Sequence, residues 1–275
     1  MNKEDNIDTK KLQQTLVSPE RPAPLKALAS IGTFTGRSLL KLKHNPMGLM
    51  DVILMPILFL LMFTYLFGGA IAGSVKDYLQ FILPGILVQT VMQITIYTGL
   101  NLKKDIDKGF FDRQRTLPIW LPSSLVGALS YDTLRYVITS FIMITFGMIL
   151  GFRPEGGFLG VVAAIALLLV FSFSLSWIWN AMALVVKAEN IFLISSMMVI
   201  FPLTFLSSAF VDPETMPRVL KIFTNINPIS KLVDAIRGLM HGNVVGMDII
   251  WTLIISGIII AIFGPITMHL YKNKN

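Results

Sequence analysis

Residues 103–122 read KKDIDKGFFDRQRTLPIWLP, a charged island between two long apolar runs. At its centre Phe110, Phe111 and Leu117 oppose Asp112, Arg113 and Arg115, the pattern of a short two-faced helix. Pro118 ends any helix there, because proline has no N–H with which to continue the hydrogen-bond ladder. A kinked amphipathic helix between membrane spans can be gripped from outside the bilayer. A solvated loop held at the headgroups by its lysines carries the same charge pattern, so the charges alone leave both readings open.

Outward from this island the chain is apolar. Its 275 residues are 54% hydrophobic and 14% charged, against roughly 25% charged in soluble domains, which makes this a membrane protein; its long apolar runs read as helices, making it all-α and polytopic. Six apolar segments reach the 20 or so residues that a helix needs to cross about 30 Å of hydrocarbon. They lie near 49–70, 79–100, 131–151, 158–185, 191–210 and 248–270. Before them come a mobile leader over 1–24 and an interfacial helix over 25–43, together leading into a transmembrane domain that fills 25–275. In that first helix Leu28, Ile31, Thr35, Leu39 and Leu42 share one face, with Arg37, Lys41 and His44 opposite, toward anionic headgroups. A soluble packing helix has the same pattern, but the span that follows favours the membrane surface.

The basic residues orient the spans. Lys3, Lys10, Lys11, Arg21, Lys26, Arg37, Lys41 and Lys43 precede the first, Lys103, Lys104, Lys108, Arg113 and Arg115 follow the second, Lys187 lies between the fourth and fifth, and Lys272 and Lys274 close the chain. The two short loops opposite carry Lys76 and Arg153. Both termini are therefore predicted on the cytoplasmic side of the plasma membrane, and no secretory signal is predicted.

Several chemistries are excluded. There is no cysteine, hence no disulfide, thiolate metal site or cysteine nucleophile. No Gly-Lys dipeptide occurs, so no phosphate-cradling P-loop is present. His44, His241 and His269 are scattered, neither H-E-x-x-H nor G-x-S-x-G occurs, and Asp105 with Asp107 beside lysines reads as a solvated face. Asp51, Asp132 and Arg135 fall near predicted cytoplasmic ends, where snorkelling makes charge cheap. If such a chain moves a solute, the lack of a motor and of a midspan ionisable site leaves it to borrow hydrolysis from a partner.

Within the second span Gln89, Gln93 and Tyr97 recur every four residues and share a face that cannot favourably meet lipid. They line a translocation path, or they are interhelical hydrogen-bond glue worth about 0.6 kcal/mol per contact. Ser172, Ser176 and Asn180 in the fourth span, and Gly147 with Gly151 in the third, read as small-residue packing faces. Residues 201–210, FPLTFLSSAF, place Pro202 in the ladder with Thr204, Ser207 and Ser208 able to re-satisfy freed backbone groups. Two short amphipathic stretches follow within 213–241, separated by Asn227 and Pro228. Val219, Ile222, Phe223 and Ile226 form one apolar face; Leu232, Val233, Ile236, Leu239 and Met240 form the other, opposed by Lys231, Asp234 and Arg237. They predict a helix pair that dips into the outer leaflet and returns, although a surface loop has the same pattern.

Four motifs in this order and spacing, KGFFDRQRTLP (108–118), GFRPEGG (151–157), FPLTFLSSAFVDPETMP (201–217) and NPISKLVDAIRGL (227–239), resemble the daunorubicin-resistance type of permease within the type-2 ABC exporters. The resemblance runs from about residue 25 to the last span. It implies six transmembrane helices with an N-terminal interfacial helix, a cytoplasmic coupling helix near 105–118 and outer-leaflet re-entrant helices. It also implies a second permease copy, a homodimer, and separate cytoplasmic ATPase subunits that bind ATP and magnesium, so that the chain is not an enzyme and holds no cofactor itself. By position Gly109, Phe110, Phe111, Asp112, Arg113, Leu117 and Pro118 match the coupling motif. Pro202, Phe205, Leu206, Ser207, Phe210, Asn227 and Pro228 match the gate region, joining the path residues Gln89, Gln93 and Tyr97. Two departures stand out: Lys108 replaces an acidic residue frequent in the family, and 119–122 replace a Pro-x-Ser-Arg ending. The implied function is export of a hydrophobic or amphipathic drug-like compound from a bacterial cell, with membrane lipid around the chain and no role for nucleic acid. Export of an envelope polysaccharide or lipid-linked glycan is the alternative within this architecture; a membrane-embedded enzyme or scaffold is the alternative outside it.

Overall fold

The computed structural model describes residues 46–109, 122–243 and 246–273, and every regular element in them is helical. In chain order these are α1 (Pro46–Ala72), α2 (Val75–Asp107), α3 (Pro122–Leu150), α4 (Gly157–Val185), α5 (Glu189–Phe205), α6 (Arg218–Ile226), α7 (Pro228–His241) and α8 (Gly246–Asn273). A 3-10 turn at Pro213–Thr215 precedes α6. The leader at 1–24, the interfacial helix at 25–43 and residues 110–121 of the coupling segment lie outside the described residues.

Helix α2 starts and stops on local chemistry. Gly73, with φ 70°, turns the chain out of α1, because only glycine takes that conformation without steric cost. The Ser74 hydroxyl then accepts from the Asp77 amide at 3.0 Å and donates to its carboxylate at 2.5 Å, an N-cap with its acid in the first turn. At the far end the Gly109 N–H donates to the Ile106 carbonyl at 2.9 Å and Gly109 has φ 65°, a left-handed helix stop. Residues 105–107, expected within a separate coupling helix, are thus the last turn of α2.

α2 is the hub. Ile82, Leu83, Ile86, Leu87, Val88, Val91 and Met92 are fully buried, and the helix packs on α1, α3, α4, α5 and α7. Two glycines set its closest approaches. A Cβ at Gly99 would lie 2.6 Å from the Trp179 carbonyl oxygen and 2.7 Å from Phe192 Cζ, and one at Gly85 would overlap the backbone of Ala209.

One end of the bundle gathers the α1–α2 turn, the α3–α4 turn and everything from 206 to 241. Gln80 clasps the α3–α4 turn, donating to the Gly151 carbonyl at 3.0 Å and accepting from the Arg153 N–H at 2.9 Å. Gly156 and Gly160 seat the start of α4 on the Leu239 carbonyl at the end of α7. At the opposite end Leu129, Trp177, Leu184 and Tyr271 form a second small core. There buried Lys103 pairs with Asp107 at 2.6 Å.

Among the described residues, four helical stretches are long and apolar enough to cross a membrane: Val75–Asp107, Gly127–Leu150, Gly157–Val185 and Gly246–Asn273. The fifth expected span is helical only over Glu189–Phe205, and 206–210 form a turn. Its 17 residues cover about 26 Å. Of the expected glycine pair in the third span, Gly147 does pack, against Leu83, but Gly151 has φ 109° and makes the turn.

The charges of α3 do not snorkel. Asp132 and Arg135 are 2% and 6% exposed and pair at 3.3 Å, because α3 packs against α2 and α4 at this level. Alongside, the Tyr136 hydroxyl lies 3.0 Å from both Thr98 of α2 and Ser176 of α4.

Alanine at Gly85 or Gly99 forces backbone apart, an overpacking cost of about 1–3 kcal/mol, whereas Gly257 of α8 has open space around its Cβ position. The unfolding midpoint in detergent should fall for G85A and G99A and hold or rise slightly for G257A, read by thermal denaturation of the purified chain.

Candidate functional site

The site grows from the end of α5. A helix leaves its last carbonyls without intrahelical partners, and in a water-poor setting each needs a donor from the protein. Pro202 cannot donate within the ladder. Thr204 Oγ1 donates back to the carbonyls of Ile200 at 2.9 Å and Phe201 at 3.1 Å. Ser207 Oγ donates to the Thr204 carbonyl at 2.6 Å and accepts the Ala209 N–H at 3.2 Å.

Asn227 serves two helices at once. Its Oδ1 accepts the Ile229 N–H at 2.9 Å, capping α7, while its Nδ2 donates to the carbonyls of Leu203 at 2.7 Å and Leu206 at 3.2 Å. Pro228 follows at the first position of α7, where a missing N–H costs nothing. Thr224 Oγ1 adds a 3.2 Å bond to the Leu206 carbonyl.

The turn is then fastened to α7. Ser208 N–H donates to Ser230 Oγ at 3.3 Å, and Ser208 Oγ donates to Asp234 Oδ1 at 2.7 Å. Arg237 donates to the Ser208 carbonyl at 2.9 Å, to Asp234 at 3.3 Å and to the Phe81 carbonyl of α2 at 3.3 Å, with its guanidinium 4.0 Å from the Phe81 ring centroid. Burial pushes the Asp234 carboxyl up from its ordinary range, while the Ser208 hydroxyl and the Arg237 charge pull it back. Burial lowers Arg237 to about 10, which leaves the guanidinium charged at neutral pH.

An aromatic stack covers the same turn. Phe201 stacks on Phe205 at 4.5 Å, Phe205 on Phe210 at 5.1 Å, and Phe210 leans on Phe63 of α1 at 4.9 Å. Tyr78 donates to the Phe210 carbonyl at 3.4 Å.

The structure therefore brings together Pro202, Phe205, Leu206, Ser207, Phe210, Asn227 and Pro228. The other path residues run down α2 from this cluster: Gln89 is one turn beyond Gly85 and buried, and Gln93 and Tyr97 are half-buried. Tyr97 lies beneath the Arg135 guanidinium, 5.8 Å from the ring centroid. Of the coupling residues Gly109 is the stop of α2, and Phe110, Phe111, Asp112, Arg113, Leu117 and Pro118 lie outside the described residues. Among the described residues no three metal-ligating side chains converge.

The sequence sets Lys231, Asp234 and Arg237 opposite the apolar face of α7, with no partner assigned to any of them. Asp234 and Arg237 instead grip the 206–210 turn, and Lys231 pairs with Asp248 of α8 at 3.1 Å. A signal was available: a carboxylate and a guanidinium three residues apart beside the apolar face of a short helix call for polar partners in the protein.

A bundle of long apolar helices, with a helix end just past Pro202 tied down by two short helices, is the architecture of a polytopic membrane protein. Residues 29–241 match the family model for the ABC-2 type transporter, and the chain belongs to this family. It is 48% identical, over 96% of its own length and 93% of the relative's, to the daunorubicin resistance ABC transporter permease protein DrrB1 of Streptomyces coeruleorubidus. It is 29% identical to the putative transport permease ycf38 of Cyanophora paradoxa, over 84% and 82% of the two chains. It is 22% identical to the probable doxorubicin resistance ABC transporter permease protein DrrC of Mycobacterium tuberculosis, over 85% of each chain.

Asn227→Asp keeps the acceptor that caps α7 and removes both donors to α5. Leaving buried carbonyls unpaired costs about 1–3 kcal/mol each. N227D should therefore lower the unfolding midpoint nearly as far as N227A; a midpoint equal to the parent protein's would show that the cap alone matters.

Proposed function

We propose that this chain is the membrane permease of an ATP-driven exporter that moves a hydrophobic or amphipathic, drug-like compound out of the cell. The observation that carries this reading is the 48% identity to a daunorubicin resistance permease across 96% of the chain. α1 and α5 join the four longer helices as spans, giving six, with both termini in the cytoplasm and α6 and α7 dipping into the outer leaflet. Two copies of the chain pair, surrounded by lipid, and separate ATPase subunits bind ATP and magnesium. Those subunits engage residues 109–118, where Gly109 frees the chain from α2 and Phe110, Phe111, Asp112, Arg113, Leu117 and Pro118 present the docking surface.

In this reading the 202–210 segment with Asn227 and Pro228 is the outer gate, and Gln89, Gln93 and Tyr97 line the approach to it. ATP binding draws the two ATPase subunits together, they push the 109–118 elbow, and α2 and α3 carry the displacement toward the gate. The aromatic stack over the turn supports an apolar cargo, because Phe201 and Phe205 keep exposed ring surface there that an apolar group can cover.

Co-expression with the ATPase subunits tests this. Membrane vesicles should accumulate daunorubicin in an ATP-dependent way, and F110A or D112A should reduce that uptake about tenfold, the equivalent of about 1.4 kcal/mol, with membrane levels unchanged. Full uptake in both variants, or uptake without any ATPase subunit, refutes the coupling assignment.

A further inference from the structure

The 206–210 turn is knitted to α6 and α7 by Asn227, Thr224, Ser230 and Asp234. Together they form one polar-bonded unit, which sits on α2 along a seam that is mostly apolar. Ala209 lies backbone-close to Gly85 there. A long 3.4 Å bond from Tyr78 to the Phe210 carbonyl crosses it. Arg237 crosses it as well, and it differs in kind. One edge of its planar fork is held within the unit by the Ser208 carbonyl and Asp234, and its Nε reaches across to the Phe81 carbonyl with the Phe81 ring against its face. The accepting carbonyl is next to that of Gln80, the one that Pro84 leaves without its ladder donor, so Arg237 meets α2 at a locally weakened turn.

We infer that Arg237 is the latch of the gate: its guanidinium joins the turn to α2 when the path is shut, and the path opens by parting Arg237 from Phe81. This rests on reading 202–210 as the gate. Arg237 acts by position, through the Ser208 and Phe81 carbonyls. Charged, bidentate and ring-stacked contacts are the ones for which lysine is a poor substitute. The latch therefore depends on the fork and not on the charge alone.

The absence of cysteine supplies the test. Ser207 and Ser140 are both 0% exposed, the first in the turn and the second within α3 away from the seam. Single-thiol S207C and S140C chains are made with Arg237, R237Q or R237K, and intact cells are treated with a membrane-impermeant maleimide. R237Q and R237K should both speed labelling of S207C about tenfold, the factor expected when a charge-assisted hydrogen bond is lost, while S140C stays protected. R237K is read alone if R237Q does not reach the membrane. Equal S207C rates in all backgrounds overturn the latch, as does a parallel rise at S140C, which would mean general loosening. Acceleration confined to inverted vesicles keeps the latch and refutes an outer-side gate. Unchanged rates, together with loss of export once S207C is labelled, keep the gate and refute the latch.

Discussion

A helix that ends where water is scarce must find donors for its last carbonyls inside the protein. At the end of α5 this requirement shapes everything around it. The carbonyls of Leu203, Thr204, Leu206, Ser208 and Phe210 take donors from Asn227, Ser207, Thr224, Arg237 and Tyr78. Those donors come from the turn, the α6–α7 corner, α7 and α2. The segment after α5 is thereby fastened down, with these five carbonyls satisfied from within the protein, and α6, α7 and the corner between them carry three of the donors.

The second requirement is closeness. The turn after α5 sits on α2 where Gly85 has no side chain, and α4 and α5 close on α2 where Gly99 has none. Between those points α2 is lined with fully buried aliphatic residues, so it is clamped on nearly all sides and is the least free of the helices to change its own packing. α8 is the opposite case: its apolar face is largely uncovered, and it leans chiefly on α4, with Thr267 donating to the Trp177 carbonyl at 3.2 Å.

Much of this was legible in the sequence, for identifiable reasons. Apolar run length marks helices such as α4 and α8 because hydrocarbon thickness fixes it, and Asn227-Pro228 marks the α6–α7 break because capping and proline chemistry are local. Phe201–Phe210 announced itself through a proline followed by hydroxyl residues. What stayed hidden was pairing between distant segments. Nothing local says that Gly85 lies under Ala209, or that Arg237 reaches Phe81 across 156 positions. The same gap made Asp132 and Arg135 look like cheap interfacial charges, since burial by α2 and α4 is a property of the assembled bundle. Gly151 misled for another reason, because a glycine in an apolar run serves packing and turning alike until its φ is known.

The mechanical consequence follows from where α2 is stiff and where it is not. The helix has 33 residues, about 50 Å of rod, and Pro84 is the one proline within it. Below Pro84 the shaft is held by Leu87 through Met92 in the core, by Trp179 Nε1 donating to Thr95 at 2.8 Å, and by Thr98 through Tyr136 to Ser176. Above it the short upper arm is tied to the α3–α4 turn by Gln80 and to the turn after α5 by Arg237 and Tyr78. That turn therefore touches α2 at Gly85, one residue past its weakest point. Under the proposed coupling, a displacement delivered at the Gly109 end would tilt the shaft together with α3 and α4, which Tyr136 ties to it, and Pro84 lies where that shaft meets the seam that Arg237 bridges. On the proposed reading, in which the chain is driven at 109–118 and gated at 202–210, a flexible joint belongs beside the gate, and Pro84 stands there.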